Sequence, residues 1–168
     1  MKKMIIALLA VVMTTGLASA QNYMVVDSEK VFKSIKAYND ALEDIEELAT
    51  EYQEAVDAKF AEVENLYNSY MQQRSSLSVS AQQQYEQLIL QKEAEATEYQ
   101  ESLFGTDGEL MKRRLELIQP IQNRVFNTIE NFSKQYGYDL VIDISANPTI
   151  LYYSTKVDFT ERIIDALK

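Results

Sequence analysis

The stretch that decides the fold is residues 37–73, AYNDALEDIEELATEYQEAVDAKFAEVENLYNSYMQQ, which contain neither Gly nor Pro. Apolar or aromatic side chains recur at the two seam positions of a heptad repeat through five heptads, and Lys59 is the one polar member. One seam position takes Tyr38, Ile45, Tyr52, Lys59 and Leu66, and the other takes Leu42, Ala49, Val56, Val63 and Tyr70. The pattern predicts a coiled coil, and its wealth of Ala and Tyr predicts loose packing.

The helix is expected to start upstream of this stretch and to return after it. Ser28 suits an N-cap, and no helix breaker follows it before Gln73. Residues 74–80, RSSLSVS, contain four Ser, whose hydroxyls favour turns, so we predict a hairpin tip near residues 74–84. The return helix repeats the seam and is expected to stop at Gly137. Its seam residues are Tyr85, Ile89, Lys92, Ala96, Tyr99, Leu103, Leu110 and Leu117.

Two glycines, Gly105 and Gly108, lie within that return helix. Each Gly costs a helix interior about 1 kcal/mol relative to Ala. The segment is therefore either a loop that splits the helix or a hinge that lets the arm swing against its base. The sequence does not decide between the two.

Short strands are predicted on both sides of the helical hairpin. Tyr23–Asp27, Tyr138–Ile144 and Ile150–Tyr153 are rich in β-branched and aromatic residues, and a short final helix follows, capped by Asp158 or Thr160. Three short strands make a weak sheet alone, whereas pairing with copies from other subunits would remove their free edges. The fold class is therefore mainly α with a small β-body, and we predict an obligate oligomer.

The first 20 residues have the pattern of a cleaved signal peptide. Lys2 and Lys3 precede the apolar run MIIALLAVVM, and Ala18-Ser19-Ala20 is a small-x-small site that places Gln21 at the mature N-terminus. Ten apolar residues are fewer than the roughly 20 that span a bilayer. We therefore expect export without stable membrane insertion.

Composition and charge exclude several function classes. The chain has no His, Cys or Trp, so a Ser-His or Cys-His hydrolytic pair is impossible, and we predict no enzyme activity, no metal site and no cofactor. The formal net charge is −10, and it becomes −12 without the two signal-peptide lysines. Such a surface opposes binding to nucleic acid and to anionic membranes.

In the order and spacing of its segments the sequence resembles the Skp/OmpH family of periplasmic chaperones, over nearly all of the mature chain. The segments that carry the resemblance are Val25-Val26-Asp27, Val31-Phe32, Tyr138–Asp143, Ile150–Ser154, Asp158-Phe159-Thr160 and Ile163-Ile164, around a low-complexity helical middle.

The resemblance implies a homotrimer in the periplasm whose strands build a shared β-barrel. Its helical arms would enclose a cavity that holds unfolded outer-membrane proteins, the client proteins, without ATP. Residues 21–168 would form one domain, with the β-body and arm base in residues 21–36 and 106–168 and the arm in residues 37–105. The expected oligomer interface comprises Val25, Phe32, Leu140, Ile142, Ile144, Leu151 and Tyr153.

The chain departs from the family in its charge, because members are often basic. Its arm, residues 37–104, has 15 acidic and three basic residues and carries the whole mature charge of −12. Whether the chain shares a basic site for anionic lipopolysaccharide therefore stays open. The one basic cluster, Lys112-Arg113-Arg114, is expected to pair with arm carboxylates near the hinge, and the alternative is that it faces the cavity.

Client contact is expected from apolar residues near the mobile tip, since aromatic and Met side chains suit promiscuous binding. These residues are Phe60, Tyr67, Tyr70, Met71, Leu77 and Val79, and for each the alternative is that it widens the seam. The alternative function is a passive coiled-coil spacer or adaptor of the cell envelope. A tight Leu seam would have favoured that second function.

Overall fold

The structure is a computed structural model, and it describes residues 22–145 and 147–168. The predicted signal peptide lies outside the described residues. The chain divides into two compact units. The first combines the segment up to Ser34 with Arg124–Lys168, and the second is Ile35–Asn123.

The first unit is built on a two-stranded parallel sheet of β1, Tyr23–Val26, and β2, Leu140–Asp143. Their register pairs Tyr23 with Leu140 and Val26 with Asp143. On its other side β1 forms a single parallel bridge between Val25 and Asp158. The side chains of Met24, Val25 and Val26 in β1 are all at most 2 % exposed.

The strand β1 leads directly into the short helix α1, Ser28–Lys33. Its N-cap is Asp27, whose carboxylate accepts from the backbone N–H of Lys30 at 3.0 Å. The prediction that Ser28 is the cap was therefore wrong by one residue. The reason is that the Ser28 hydroxyl is used elsewhere, as a donor to Asp143.

The unbroken helix predicted from Ser28 to Gln73 was also wrong. The helix α1 ends at Lys33, and α2, Lys36–Gln73, begins after Ile35, whose backbone is extended at φ −91° and ψ 113°. The backbone N–H of Ser34 and its hydroxyl both bond to carbonyls of α1, which closes that helix.

The second unit is a helical hairpin, as predicted. After α2 come a 3₁₀ turn, Arg74–Ser76, and the helix α3, Val79–Phe104. Ser78 caps α3 by accepting from the N–H of Ala81 at 3.3 Å, and the Gln82 side chain bonds to carbonyls of Arg74 and Leu77. The Ser-rich segment thus forms the predicted tip. At its 38 residues α2 is about 57 Å long.

The helix α4, Glu109–Tyr136, follows the Gly105–Gly108 segment, and the boundary between the two units falls within it. It ends as predicted, with Gly137 at φ 72° and the N–H of Tyr138 bonded to the carbonyl of Ser133 at 2.9 Å. A left-handed residue at this point is where glycine is favoured.

A third strand at Ile150–Tyr153 was predicted, and the structure does not form it. The segment is irregular, with Leu151 94 % and Tyr152 85 % exposed, and it leads to a 3₁₀ turn, Thr155–Val157. A strand needs a partner edge, and this segment has none within the described chain. The final helix, α5, Thr160–Ala166, follows, and Asp158 accepts from both the N–H and the hydroxyl of Thr160. Its N-cap is Phe159, which makes no side-chain cap bond, so the prediction of Asp158 or Thr160 as the cap was wrong.

The core of the first unit forms where α1, α4 and α5 cover the sheet. Val31, Val125 and Ile163 are completely buried. The ring of Phe159 lies 5.9 Å from Phe132 and 4.8 Å from Tyr138, measured between centroids. Among the described residues no helix is long and apolar enough to cross a membrane.

Candidate functional site

The tip of the hairpin is organised around Tyr70, which is 4 % exposed. Its ring stacks on Tyr85 of α3 at 5.7 Å, and its hydroxyl donates to Glu86 Oε1 at 2.6 Å. The guanidinium of Arg74 lies 5.9 Å from the same ring. The hydrogen bond to Glu86 and the loss of solvent both raise the pKa of Tyr70. Tyr70 therefore fastens α2 to α3, as its seam position predicts.

The seam below the tip is buried at some positions and only partly covered at others. Val56 and Ala96 are buried to 1 % exposure and Leu103 to 7 %. Tyr52 meets Phe104 edge to face at 6.3 Å, and the Lys59 ammonium lies 5.7 Å from the Tyr99 ring. Most of the remaining seam residues are only partly covered.

Several of the predicted client-binding residues keep much of their surface exposed. Tyr67 is 48 %, Met71 46 %, Phe60 36 % and Val79 72 % exposed, while Leu77 is half-buried. Tyr70 differs, because it lies in the seam and presents little surface to a client. Tyr70 is therefore not part of the exposed apolar surface near the tip.

Part of this surface forms a shallow groove between α2 and α3, which we call the tip groove. Its lining is Tyr67, Tyr70, Met71, Arg74, Glu86, Ile89 and Leu90. Leu90 is 64 % exposed. The two charged residues, Arg74 and Glu86, are both engaged with Tyr70, so the groove offers an apolar floor with a polar rim.

Charge is unevenly distributed along the hairpin. Residues 65–91, the neutral tip, contain one acidic residue, Glu86, and one basic residue, Arg74. Residues 37–64 and 92–104, the acidic shaft, contain 14 acidic and two basic residues. Lys92 pairs with Glu95 at 2.8 Å, and this bond lowers the pKa of Glu95. The charge of −12 therefore belongs to the shaft, and the tip has none.

The basic cluster lies at the start of α4. Lys112 pairs with Glu109 and Arg113 with Glu116, both on the same helix. Arg113 also lines a depression with Asp44, Glu47 and Glu51 of α2. Lys112 and Arg113 thus form ion pairs with carboxylates of α4 and not with the expected arm carboxylates, although Arg113 lies next to the acidic shaft.

The Gly105–Gly108 segment is a tight turn between two separate helices. The N–H of Gly105 bonds to the carbonyl of Glu101, and the N–H of Gly108 bonds to the carbonyl of Gly105 at 2.9 Å. A Cβ at Gly105 would collide with the Glu101 carbonyl oxygen, and one at Gly108 would lie 2.6 Å from that of Leu103. The close approach of backbone atoms explains both glycines, and the structure bears out a split helix.

The predicted interface residues fall into two groups. Val25 is 2 % exposed, and Phe32 packs edge to face on Phe126 at 6.3 Å, so both serve the chain's own core. Leu140 is 55 %, Leu151 94 % and Tyr153 38 % exposed. Ile142 and Ile144 are half-buried. Leu140 lies on β2, whose edge away from β1 is unpaired in the described chain, while Leu151 and Tyr153 lie in the irregular segment that follows it in sequence.

No group of three or more metal-ligating side chains occurs in the part of the chain that the structure describes. A sequence profile of the family described as outer membrane protein (OmpH-like) matches residues 22–167. The chain belongs to the OmpH-like family. Members of this family are periplasmic chaperones of outer-membrane proteins and not enzymes. A search of curated proteins found no match.

Sequence reasoning did not identify Leu90 as a lining residue of the tip groove in this OmpH-like chain. Leu88, Ile89 and Leu90 are consecutive, and only Ile89 was assigned to the seam. Three successive residues of a helix point in directions about 100° apart, so they cannot all face one partner. Leu88 at 40 % and Leu90 at 64 % exposure are the residues left outside. The run of apolar residues was the signal that could have found them.

Proposed function

We propose that this protein is an ATP-independent holdase of the periplasm. It binds unfolded outer-membrane proteins in a cavity between the helical arms of a homotrimer and keeps them from aggregating. The observation that carries the proposal is the tip of the hairpin, where aromatic, Met and Leu side chains stay exposed on a stretch without net charge in an otherwise acidic arm. Exposed apolar patches of this kind mark sites of protein interaction.

Weak apolar contacts suit the holding of an unfolded chain. Each Å² of apolar surface that leaves water contributes about 25 cal/mol. Many small contacts of this kind add up without selecting one client conformation. They also need no nucleotide, since release requires only that the client find a more favourable folded state.

Assembly into a trimer is supported by the first unit. Leu140, Leu151 and Tyr153 expose apolar surface, and β2 has an unpaired edge in the described chain. Free strand edges and exposed apolar side chains are both stabilised by pairing with another chain. The irregular segment with Leu151 is suited to become a strand when a neighbouring chain offers an edge.

The direct test is dilution of a urea-denatured outer-membrane β-barrel protein into buffer without nucleotide, with light scattering as the readout. The proposal expects scattering to be suppressed when the protein is present at about the client's molar concentration or at a few-fold excess. Bovine serum albumin at equal mass controls for crowding. Scattering that is unchanged would contradict the holdase and would favour the passive coiled-coil spacer.

A further inference from the structure

We propose that the tip groove selects client segments by the charge that flanks them. Its occupant is an apolar stretch of an unfolded client bordered by neutral or basic residues, and a stretch bordered by acidic residues is disfavoured. The inference rests on the proposed function, because it names the segments that the holdase grips.

The groove itself supplies an apolar contact without a net charge. Tyr67, Met71 and Leu90 are 46–64 % exposed around it. Glu86 already accepts the Tyr70 hydroxyl, and Arg74 lies over the Tyr70 ring. The lining has one acidic and one basic residue and no net charge, so it favours apolar side chains without itself preferring an acidic or a basic segment.

The surroundings of the groove supply the selection. Glu64 precedes Tyr67 by three residues, and Glu93 follows Leu90 by three. Three helical residues rise about 4.5 Å along the axis. This distance is shorter than the screening length of about 8 Å in physiological salt. Residues that flank a bound apolar stretch therefore experience the acidic shaft, which attracts Lys and Arg and repels Asp and Glu.

An extended client segment is longer than either side of the neutral tip. An extended chain rises about 3.3 Å per residue, so a peptide of 12 residues spans about 40 Å. The 27 residues of the neutral tip turn back on themselves at Arg74–Ser76, so each side of it covers a shorter distance than that. When the centre of a segment that lies along the arm occupies the groove, the end that points away from the tip therefore reaches the shaft.

Three fluorescent peptides test the inference on the full assembled protein. They share one uncharged core of alternating Leu and Ser around a Tyr, and they differ in flanks of three Lys, three Gln or three Asp. Anisotropy at low salt should rank affinity as Lys above Gln above Asp, with about a tenfold difference between the extremes, because each exposed charge contributes little. In 1 M salt the three affinities should converge while the Gln-flanked peptide still binds.

Two variants test whether the peptides bind in the tip groove. Tyr67→Ser together with Leu90→Ser should weaken all three peptides by about tenfold or more. Leu115→Ser, which also changes an exposed Leu but lies outside the groove, should leave them unchanged. Helical content by circular dichroism and mass by light scattering verify that each variant is folded and assembled.

Equal binding of the Lys- and Asp-flanked peptides at low salt would overturn the inference, as would normal binding by the groove variant. A groove variant with a reduced assembly mass would overturn it too, because the groove would then be covered by a second copy of this chain. The experiments distinguish a failure of the proposed function from a failure of this inference. Peptide selection without suppression of barrel aggregation would contradict the holdase, and suppression without peptide selection would contradict this inference alone.

Discussion

The hydroxyl of Ser28 donates a 2.5 Å hydrogen bond to Oδ2 of Asp143, across 115 residues of chain. The backbone N–H of Ser28 bonds to Oδ1 of the same carboxylate at 3.1 Å, and the N–H and hydroxyl of Ser145 also donate to Oδ1. The Asp143 carboxylate at the end of β2 thus binds both Ser28, the first residue of α1, and Ser145, which follows β2. It joins the N-terminal and C-terminal parts of the first unit.

This carboxylate should make stability depend on pH in acid. Partial burial raises the pKa of Asp143, but the hydrogen bonds from Ser28 and Ser145 outweigh it, so the pKa lies below its ordinary value of 3.8. A lowered folded-state pKa stabilises the fold above the unfolded-state pKa, and the stabilisation is lost as the pH falls through the folded-state pKa. Asp143→Asn should therefore lower the free energy of unfolding by about 1 kcal/mol at pH 7 and by much less near pH 2.

Urea denaturation of both proteins at pH 7 and near pH 2 measures the difference. Asp139→Asn is the matched control, because its carboxylate makes no hydrogen bond in the described chain while its backbone N–H bonds to Asn22. An Asp143→Asn effect that is equally large in acid would show that the carboxylate's charge is not the stabilising feature.

The sequence correctly predicted the elements that depend on residues close together in the chain. The Ser cluster after Gln73 gave the tip because hydroxyls compete for backbone partners, and Gly137 ended α4 because the left-handed conformation favours glycine. The predicted seam positions Val56 and Tyr70 are buried, as expected. Nearer the base, Ala41 is buried and Leu42 is 39 % exposed. A straight helix drifts about 20° per heptad from a strict seven-residue repeat, which explains the shift.

The features that the sequence did not predict depend on tertiary or intermolecular contacts. The break at Ser34 and Ile35 has no Gly or Pro, and the extended Ile35 is set by the structure around it. Ile150–Tyr153 has the composition of a strand but no partner in the described chain, so propensity alone could not form it. The tip groove needs α2 and α3 together, and neither helix shows it alone.

The tight turn between α3 and α4 should tolerate no side chain at its two glycines. Gly105→Ala and Gly108→Ala each place a Cβ against a backbone carbonyl, so the turn must shift at a cost of about 1–3 kcal/mol. Thermal denaturation of the single variants should show this loss. Thr106→Ala, in the exposed middle of the turn, is the control and should have little effect. Glycine variants as stable as the wild type would contradict the steric argument.

The same segment is proposed as a hinge, and this is tested in the wild-type turn because alanine would distort it. Spin labels at Ser75, near the tip, and at Gln119, on α4, lie on opposite sides of the segment and are exposed. A hinge should give a broad distance distribution between them. Labels at Ser75 and Gln53, both in or beside α2, are the rigid reference. Two distributions of equal width would rule out a hinge at Gly105–Gly108.

Assembly through the first unit is testable at Leu151. The side chain is 94 % exposed, so Leu151→Asp should leave the fold of a single chain intact. If the residue is buried between chains, the substitution places an unpaired charge in the interface and should dissociate the assembly. Light scattering at micromolar concentration gives the mass, and circular dichroism gives the helix content. Leu115→Asp, on the 53 % exposed Leu115, is the control. A wild type with monomer mass would contradict the oligomer itself.

The last prediction concerns the force that retains a whole client. The arm is strongly acidic, so general charge attraction cannot hold acidic chains, and apolar burial should dominate. Retention of an unfolded barrel protein should therefore persist in 1 M salt, which screens charges but does not weaken apolar burial. Replacement of Phe60, Tyr67 and Met71 by Ser should shorten the lifetime of the complex by about tenfold or more, while the assembly mass stays the same.

Met111→Ser with Leu115→Ser is the matched control, since both residues are exposed and lie outside the tip. Dissociation rates of a labelled client, measured by energy transfer at low and high salt, give the comparison. Selection by flanking charge and retention by apolar contact are compatible, because salt removes the first and leaves the second. Retention that collapsed between low and moderate salt, with a triple variant that held its client normally, would contradict the apolar grip. Localised charge, such as that of Lys112-Arg113-Arg114, would then be the better explanation.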